Sequence, residues 1–546
     1  MKNQSKNHPK VAYFCMEYGM HEDFHIYSGG LGILAGDYMK AAKDENYPMV
    51  GIGILWRQGY TRQTIDQNGK PCDSFHEYSY EFLKDTGVEV KVKIRGRQVT
   101  CKVWLCEKYG NTPLYLLDTN LPENADRFVT GQLYGWFSEE RIAQEMVLGI
   151  AGVRALRELG FEPDIYHFNE GHAVFAGIEL IRELMDTKGF SFEKALEKVR
   201  KRLVFTTHTP VEAGNEVHEH ELLQYMGAND GLTYGQMLKL GGTPFNMTVA
   251  GLRMSYKANA VAQLHGKTAK KMWKHVDDAC DIIAITNGVH NGTWQDNDVF
   301  KAFESKDDIW APHMAAKRKM IDEIYKRNNV KLDENVLTIG FARRAAPYKR
   351  SDFIFRKKEI IEPLLKEKKL QLIFSGKAHP NDLTGKEIVS NLYEMSVKYP
   401  DSVIFLQNYD MKIGKLLTRG CDVWLNNPIR PLEASGTSGM KAAMNGVLNL
   451  SILDGWWPEG CEHGKNGWQI GDAYEGKDQD KVDLKSLYSV LQKEVIPTYY
   501  DNRDKWVEMM NASIKMSTWK FSAARMIEEY YTKLYQEVPK KVKVKK

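Results

Sequence analysis

The chain of 546 residues lacks the features that mark several large classes of protein. No apolar run approaches the ~18 residues that a membrane span needs. The opening stretch, MKNQSKNHPKVAYF, carries lysines but neither an apolar core nor a small-residue cleavage site, so a secretory signal is not expected. Cysteine is sparse and unorganised: seven residues (Cys15, Cys72, Cys101, Cys106, Cys280, Cys421, Cys461), an odd number, with no CxxC pair. That argues against a disulfide framework or a structural zinc site and points to a reducing, cytoplasmic setting. Charge bias is nearly absent, with 75 Lys+Arg against 71 Asp+Glu for a net +4, and five of the lysines lie in Lys540–Lys546. Without that tail, +4 becomes −1, so the body has no basic surplus that would call for nucleic acid or an anionic membrane, and the tail reads as a solvated end. Internal repeats and low-complexity stretches are missing apart from the tail. Hydrophobic residues at 43% and charged ones at 27% exclude disorder, collagen and coiled coil as the main state, and the length accommodates two to four domains.

What the chain has instead is a recurring order: a short apolar strand, a glycine-rich or polar cluster, then a helix. Val11–Met16 predicts a strand, followed by Tyr27-Ser28-Gly29-Gly30-Leu31-Gly32 and a helical stretch to about Lys43, and Val50–Trp56 predicts another buried strand. From Gly87 the period changes: Val88, Val90, Val92 and Ile94 alternate with Glu89, Lys91 and Lys93. Arg95-Gly96 then predicts a turn into Val99–Cys106, an antiparallel, half-exposed pair within a β-rich insertion over about 87–118. A long helix follows, capped by Ser138, with Glu139 and Glu140 in its first turn, Ile142, Met146, Ile150 and Val153 on one face, and Gly160 at its end. Three more strands run into clusters: Asp164–Phe168 before Asn169-Glu170-Gly171-His172, Leu203–Thr206 before Thr207-His208-Thr209-Pro210, and Asp281–Ile285 before Thr286-Asn287-Gly288. A lysine-rich helix from about Pro312 to Asn329 is expected to join two lobes. Beyond it, Val336–Phe341, Leu370–Phe374, Val403–Leu406, Asp422–Leu425 and Val447–Leu453 repeat the pattern.

Strands alternating with helices imply parallel sheets, and such sheets carry their sites at the C-terminal ends of the strands. The expected fold is α/β: two doubly wound, Rossmann-like domains facing a central cleft. The boundaries expected are 1–315 for the first domain with its β-rich insertion and 316–500 for the second. A helical segment, 501–546, has a return across the first domain as one path.

Several clusters can carry chemistry. In Glu433-Ala434-Ser435-Gly436-Thr437-Ser438-Gly439-Met440-Lys441, small residues let the backbone approach a ligand, and exposed amides at a helix start suit a phosphate. A lysine beside that anion can form a Schiff base with an aldehyde cofactor. The plainer alternative is a glycine-rich turn whose lysine reaches solvent. Arg343, Arg344, Lys349 and Arg350 put four cations within eight residues at a strand end, which is costly unless an anion joins them; a solvated basic face is the alternative. Gly29-Gly30-Leu31-Gly32 falls short of the GxGxxG fingerprint and is equally consistent with a tight turn. His208 lies in a loop, where a single histidine is more often structural. Glu17, Glu170 and Glu433 end three separate strands; two of them could form a glycosidase acid–base pair, which sequence spacing does not test. His290, His379 and Cys461 lack metal-ligand spacing, and no metal is assigned. Trp294, Trp456 and Trp457 suit either sugar stacking or a core.

Taken together, these stretches resemble the α-glucan phosphorylases, the glycogen and maltodextrin phosphorylase family. The match runs from VAYFCMEY and YSGGLGILAGD through FTTHTP and ITNGVHNGTW to FARRAAPYKR and EASGTSGMKAAMNG, in the family's order, over roughly residues 11–460. EASGTSGMK is the most specific of these. The resemblance implies a glycosyltransferase-B architecture and pyridoxal 5′-phosphate held on Lys441, whose phosphate rather than ring carries the chemistry. By matched position, the amides around Thr437, Ser438 and Gly439 would hold that phosphate with Arg343 and Lys349 beside it, and Tyr409, Trp294 and Gly30 would contact the cofactor. Arg344 with Gly29 and Gly30 would grip the substrate phosphate. His208, Asn287, Glu433, Ser435 and Gly436 would bond the glucosyl unit. Catalytic roles fall on Arg344, Lys349, His208 and Lys441.

The implied reaction is reversible phosphorolysis of a terminal α-1,4 glucosyl residue, from an α-1,4-glucan or maltooligosaccharide, by inorganic phosphate to α-glucose 1-phosphate with retention. No nucleic acid or membrane partner is expected; the family often dimerises, and a homo-oligomer stays open. Two departures stand out. Ala345-Ala346-Pro347 replaces a histidine and an acid of the long members, and Asp410 replaces a basic residue after the tyrosine. YFCMEY begins almost at once, so the long members' N-terminal regulatory extension is not expected. The alternatives are a sugar-nucleotide-dependent glucan synthase of the same architecture and an inactive glucan-binding homologue.

Overall fold

Apolar runs between polar clusters become fully buried strands, and strands buried on both faces pair in parallel. The computed structural model describes residues 8–135 and 137–536, so the lysine tail lies outside the described residues. The chain divides into two units: the described parts of Met1–Tyr60, Phe75–Thr286 and Met526–Lys546, and a second made of Thr61–Ser74 with Asn287–Arg525.

The first unit holds β1 (Val11–Phe14), β2 (Met49–Ile54), β3 (Lys84–Ile94), β4 (Arg97–Cys106), β5 (Leu114–Asp118), β6 (Ile165–Asn169), β7 (Leu203–Thr206), β8 (Lys257–Ala260) and β9 (Asp281–Ala284). They form one nine-stranded sheet in the order β9-β8-β7-β6-β1-β2-β5-β4-β3. Pairing is parallel from β9 to β5. β4 and β3 extend it antiparallel, as the alternation from Gly87 requires: Val90, Val92 and Ile94 are buried while Glu89, Lys91 and Lys93 are exposed. Arg95 (φ 49°) and Gly96 (φ 76°) both take the left-handed conformation that a tight two-residue hairpin needs. Ser138 opens the helix Ser138–Met146 but does not cap it: Phe137 occupies the cap, without a side-chain hydrogen bond. The C-terminal segment belongs to this unit, with Tyr535 sharing a 2.7 Å hydrogen bond with Tyr38, and Asn259 Nδ2 donating to Tyr530 Oη at 3.0 Å.

The second unit holds β10 (Thr338–Ala342), β11 (Gln371–Ser375), β12 (Val403–Leu406), β13 (Val423–Asn426), β14 (Leu448–Ile452) and β15 (Gly467–Ile470), all parallel, in the order β12-β11-β10-β13-β14-β15. That is the 3-2-1-4-5-6 order of a doubly wound nucleotide-type sheet, whose ligand crevice opens outside the strand ends where the order reverses, here between β10 and β13. The first unit reverses between β1 and β6 in the same way. Both units therefore have the α/β architecture of the glycosyltransferase-B class.

The unit boundary falls at Thr286/Asn287 rather than at 315. The helix Trp310–Asn328 is no linker: its Lys317 is buried in the second unit, donating to Asp422 at 2.6 Å and to the Val336 carbonyl at 2.8 Å. The hairpin Arg62–Ile65/Pro71–Ser74, distant in sequence, also joins this unit, where Lys386 meets Asp73 at 2.6 Å. Among the described residues no helix is long and apolar enough to cross a membrane.

Candidate active site

In the second unit the switch point gathers charge. Arg343 follows β10 directly, Lys349 comes seven residues after its end, and Glu433 lies in the loop after β13. One carboxylate oxygen, Glu433 Oε2, accepts from Arg343 Nη1 at 3.1 Å and from Lys349 Nζ. All three side chains are nearly buried, at 10%, 9% and 8% exposure for Arg343, Lys349 and Glu433. Burial alone would raise the Glu433 carboxyl, but Lys349 and then Arg343 hold it below the ordinary range. Two cations thus share one carboxylate, leaving a local surplus of positive charge. Arg344, the next residue along, is exposed. Arg350 does not belong with these cations. Its guanidinium donates to Asp483 and Asp480 at 2.8 Å each and to the carbonyls of Asn427 and Pro428, which makes it a structural tie.

The loop that carries Glu433 is fixed by Asp454, which accepts from the Glu433 and Gly455 amides at 2.9 and 2.8 Å and whose carboxyl burial pushes up to about 7. Gly455 sits at φ 57°, and a Cβ there would lie 2.1 Å from the Ser435 carbonyl, so only glycine lets these two loops meet. Ser435 and Gly436 follow, Gly436 at φ 70°, and Thr437 precedes the helix Ser438–Ala443. Ser438 Oγ accepts from Trp424 Nε1 at 3.0 Å, and Gly439 packs where a Cβ would lie 2.5 Å from Asn449 Oδ1. Lys441 projects from this helix, itself buried, with Nζ 3.6 Å from the centre of the Trp294 ring. Tyr409 and Trp294 flank the same glycine, Gly414, at 3.2 and 3.8 Å from the position of its missing Cβ. Burial pushes the Tyr409 hydroxyl up to about 12, while Arg343 pulls the other way.

Asp410 and Ala345 explain themselves locally. Asp410 Oδ1 accepts from the Ile413 amide at 2.8 Å and caps the helix Met411–Gly420, and Ala345 is buried with its amide on the Lys377 carbonyl at 2.9 Å. Asn287 Oδ1 is buried without a hydrogen-bond partner among the described residues, an acceptor waiting for a donor. Trp456 and Trp457, offered as sugar platforms, are 2% and 0% exposed and serve the core.

In the first unit the switch point gathers loops. Gly29 and Gly30 open the helix Gly30–Asp44, and a Cβ on either would meet nothing within 4 Å, so open space lies beside them. Glu17, three residues beyond β1, reaches this loop: Oε2 accepts from the Ser28 and Gly29 amides at 2.5 and 3.1 Å, and Oε1 accepts from Tyr134 Oη. Glu170 follows β6 directly and accepts the His208 amide at 2.7 Å. Its backbone, at φ 76° and ψ 172°, occupies a region almost reserved for glycine, at a cost of ~1–3 kcal/mol. His208 Nε2 donates to Asn169 Oδ1 at 2.6 Å, because the Asn169 amide nitrogen is turned to Cys15 Sγ, so Nδ1 keeps its lone pair. Burial holds the His208 imidazole down to about 3, hence neutral, and raises the Glu170 carboxyl to about 7. Nearby, Thr207 Oγ1 and His172 Nδ1 are buried without partners among the described residues. Neither was singled out from the sequence, although both sit in the strand-end clusters that flag this unit's site.

The chain has relatives among known proteins. The sequence model of the carbohydrate phosphorylases matches residues 297–459, which span the cation cluster and Lys441. Over 98% of its length the chain is 41% identical to a maltodextrin phosphorylase of Thermococcus litoralis, covering 72% of that protein. It is 35% identical to a glycogen phosphorylase of Aquifex aeolicus, with 97% of this chain and 86% of the relative aligned. A glycogen phosphorylase of Mycobacterium tuberculosis is 36% identical over 96% of this chain and 70% of its own length. The chain belongs to the carbohydrate phosphorylase family. Of the expected residues, Arg343, Arg344, Lys349, Glu433, Ser435, Gly436, Thr437, Ser438, Gly439, Lys441, Tyr409, Trp294 and Asn287 lie in the second unit, and Gly29, Gly30 and His208 in the first. A separate cavity of about 1110 Å³ in the first unit, lined by Arg57, Arg95, Arg127, Phe128 and Phe137 among others, includes none of them.

Proposed function

We propose that this carbohydrate phosphorylase is an α-1,4-glucan phosphorylase: it transfers a terminal α-1,4-linked glucosyl unit to inorganic phosphate, reversibly, giving α-glucose 1-phosphate with retention. The observation that carries the reading is the buried Lys441 amine beside the Trp294 ring, in the unit where Arg343 and Lys349 share the single carboxylate of Glu433.

The residues fit pyridoxal 5′-phosphate. Lys441 is a buried primary amine on a short helix preceded by small residues, Gly439 admits no side chain, and the cation surplus suits a phosphate. When bound, that cofactor would supply a phosphate able to donate and accept a proton. The chain's own residues do the rest. Arg343 and Lys349 offset the repulsion between two neighbouring phosphates, which in water-poor surroundings is the largest barrier to bringing them together. The second unit offers Arg344 to the substrate phosphate, and the first offers the amide of Gly30 to a phosphate. Asn287 Oδ1 accepts a hydroxyl of the glucosyl unit, Ser435 and Gly436 bond it through the loop that Gly455 fixes, and neutral His208 uses its Nδ1 lone pair as an acceptor. Glu433 sets the charge balance of the cations.

The experiment is release of glucose 1-phosphate from a ladder of maltooligosaccharides with phosphate, together with cofactor content from near-ultraviolet absorbance after acid release. Lys441→Ala should lose both. Activity retained in a cofactor-free Lys441→Ala preparation would refute the reading, and glucan extension from a sugar nucleotide without any bound chromophore would replace it with a synthase.

A further inference from the structure

Three glutamates stand at strand ends, and two of them, Glu17 and Glu170, follow the neighbouring strands β1 and β6 at the point where the first sheet reverses its order. Their surroundings say what they do. The Glu17 carboxylate receives the Ser28 amide at 2.5 Å, the Gly29 amide at 3.1 Å, the Ser28 hydroxyl at 3.1 Å on both oxygens, and the Tyr134 hydroxyl. It fits into the loop because residue 32 is glycine: a Cβ there would lie 2.6 Å from Glu17 Oε2. Glu170 receives the His208 amide at 2.7 Å and the Thr209 hydroxyl at 3.3 Å on Oε2, and the Gly171 amide at 3.2 Å on Oε1. A carboxylate has about four acceptor sites, so both groups are largely committed to protein donors.

We propose that Glu17 and Glu170 are positioning residues, Glu17 for the Ser28–Gly30 loop and Glu170 for the loop that carries His208. The proposal rests on the phosphorylase reading, in which Gly30 meets the substrate phosphate and His208 meets the sugar. Glu17 takes the amides of Ser28 and Gly29 for itself. The next amides, at the start of the helix Gly30–Asp44, have no partner within that helix and stay available to an anion. Glu170 does the equivalent on the other side of the reversal: it keeps a left-handed backbone that only surrounding structure can enforce, and in return fixes the His208 amide while Asn169 fixes the ring. Neither residue touches the reacting atoms, so each acts through the loop it holds.

The test separates the two substrates. Steady-state kinetics of the cofactor-loaded enzyme are measured with phosphate and with maltoheptaose varied in turn. Glu17→Ala should raise KM for phosphate at least ~10-fold and leave KM for the glucan within about twofold, and Glu170→Ala should do the reverse. Glu17→Gln and Glu170→Gln should recover most of each loss, because a glutamine oxygen still accepts the Ser28 and Gly29 amides at position 17 and the His208 amide at position 170. Cofactor content and melting temperature are followed in parallel, so that the Gln variants report on positioning even where an Ala variant folds poorly.

A fall in kcat with both KM values unchanged, in Ala and Gln variants alike, would make the carboxyls reacting groups and overturn the proposal. Equal rises in both KM values from either variant would overturn it too, because general loosening has no substrate preference. A wild-type enzyme that makes no glucose 1-phosphate would instead fail the functional reading, before any variant is compared.

Discussion

Replacing Glu433 with glutamine keeps the side-chain volume and removes the charge that Arg343 and Lys349 share. Both cations are about nine-tenths buried, so they cannot regain water cheaply. Removing one partner of a buried ion pair costs ~3–5 kcal/mol, because the cost is that of the uncompensated charge left behind. The glutamine oxygen still accepts one hydrogen bond, which argues for the lower end, ~3 kcal/mol. For a unit of this size each kcal/mol moves the melting midpoint by roughly 2–4 °C, so the second unit of Glu433→Gln should melt ~6–12 °C below wild type in the calorimeter.

The reasoning has a second, sharper consequence. An anion entering the cation cluster restores the missing charge, and a ligand at 100 times its Kd stabilises by ~2.7 kcal/mol, nearly the whole deficit. Phosphate at constant ionic strength should therefore raise the variant's melting temperature more than the wild type's, and chloride should not. The pH dependence has a defined sign as well. The Glu433 carboxyl is held below its unfolded value, so its contribution is present above that value and is lost as the pH falls through the folded one. The gap between wild type and variant should close in acid. A variant that melts within about 1 °C of wild type at neutral pH and ignores phosphate would refute the account of the cluster as an anion site in waiting.

Three further outcomes follow. Trp294→Leu removes the ring whose centre lies 3.6 Å from Lys441 Nζ; with a desolvated cation–π contact of ~1–2 kcal/mol, the cofactor-free protein should lose about that much stability in thermal melts while Trp294→Phe keeps most of it, and equal melting of both variants would contradict the contact. Gly455→Ala demands a Cβ 2.1 Å from the Ser435 carbonyl at φ 57°, so the Ser435–Gly436 loop must move; a loss of ~1–3 kcal/mol with a raised KM for glucan is expected, and unchanged kinetics would dissociate that loop from the sugar. Burial raises the Glu170 carboxyl to about 7, above its unfolded value, so its contribution is present in acid and lost as the pH climbs through about 7; Glu170→Gln should thus melt higher than wild type at pH 8 by up to ~3 kcal/mol of stability, with the advantage gone below pH ~4.5, and a pH-independent difference would exclude this origin.

The parallel sheets were legible because each buried strand is a short apolar run ending at a polar cluster, as in Leu203–Thr206 before Thr207-His208 or Val403–Leu406 before Gln407. The antiparallel insertion was legible from its alternation. Strands without that signal were not legible, among them the hairpin Arg62–Ile65/Pro71–Ser74, β8, whose Lys-Ala-Asn-Ala has no β-branched or aromatic residue, and β15, Gly-Trp-Gln-Ile, bounded by no apolar run. The unit boundary was misplaced because a lysine-rich helix looks like a linker until Lys317 is seen to spend its charge on buried Asp422. The site was legible as residue types at strand ends, but not as partners. Arg350 adjoins Lys349 in sequence yet turns to Asp480 and Asp483, since adjacent side chains at a loop leave in different directions and only tertiary contacts decide where.

The same limitation governed the three glutamates, which sequence spacing left as candidates for a hydrolytic acid–base pair, and their partners now argue against that. Glycoside hydrolysis by the protein alone needs a carboxyl that can give a proton beside a carboxylate that can take one or attack. Glu17 is occupied by the Ser28–Gly29 loop, Glu170 by the His208 loop, and Glu433 by two cations that hold it ionised. His208 is equally unsuited to supply the proton, because burial keeps it neutral and its ring N–H is spent on Asn169. A glucosyl transfer that breaks a C–O bond still requires a proton on the departing oxygen. Glu170 and Asp454, raised to about 7, keep protons near neutrality, but their oxygens are held by backbone amides, and a pair of buried cations sharing one carboxylate favours instead a bound donor that is both anionic and protic. Phosphate is such a group, so the electrostatics of Arg343, Lys349 and Glu433 point to phosphorolysis over hydrolysis without reference to any relative.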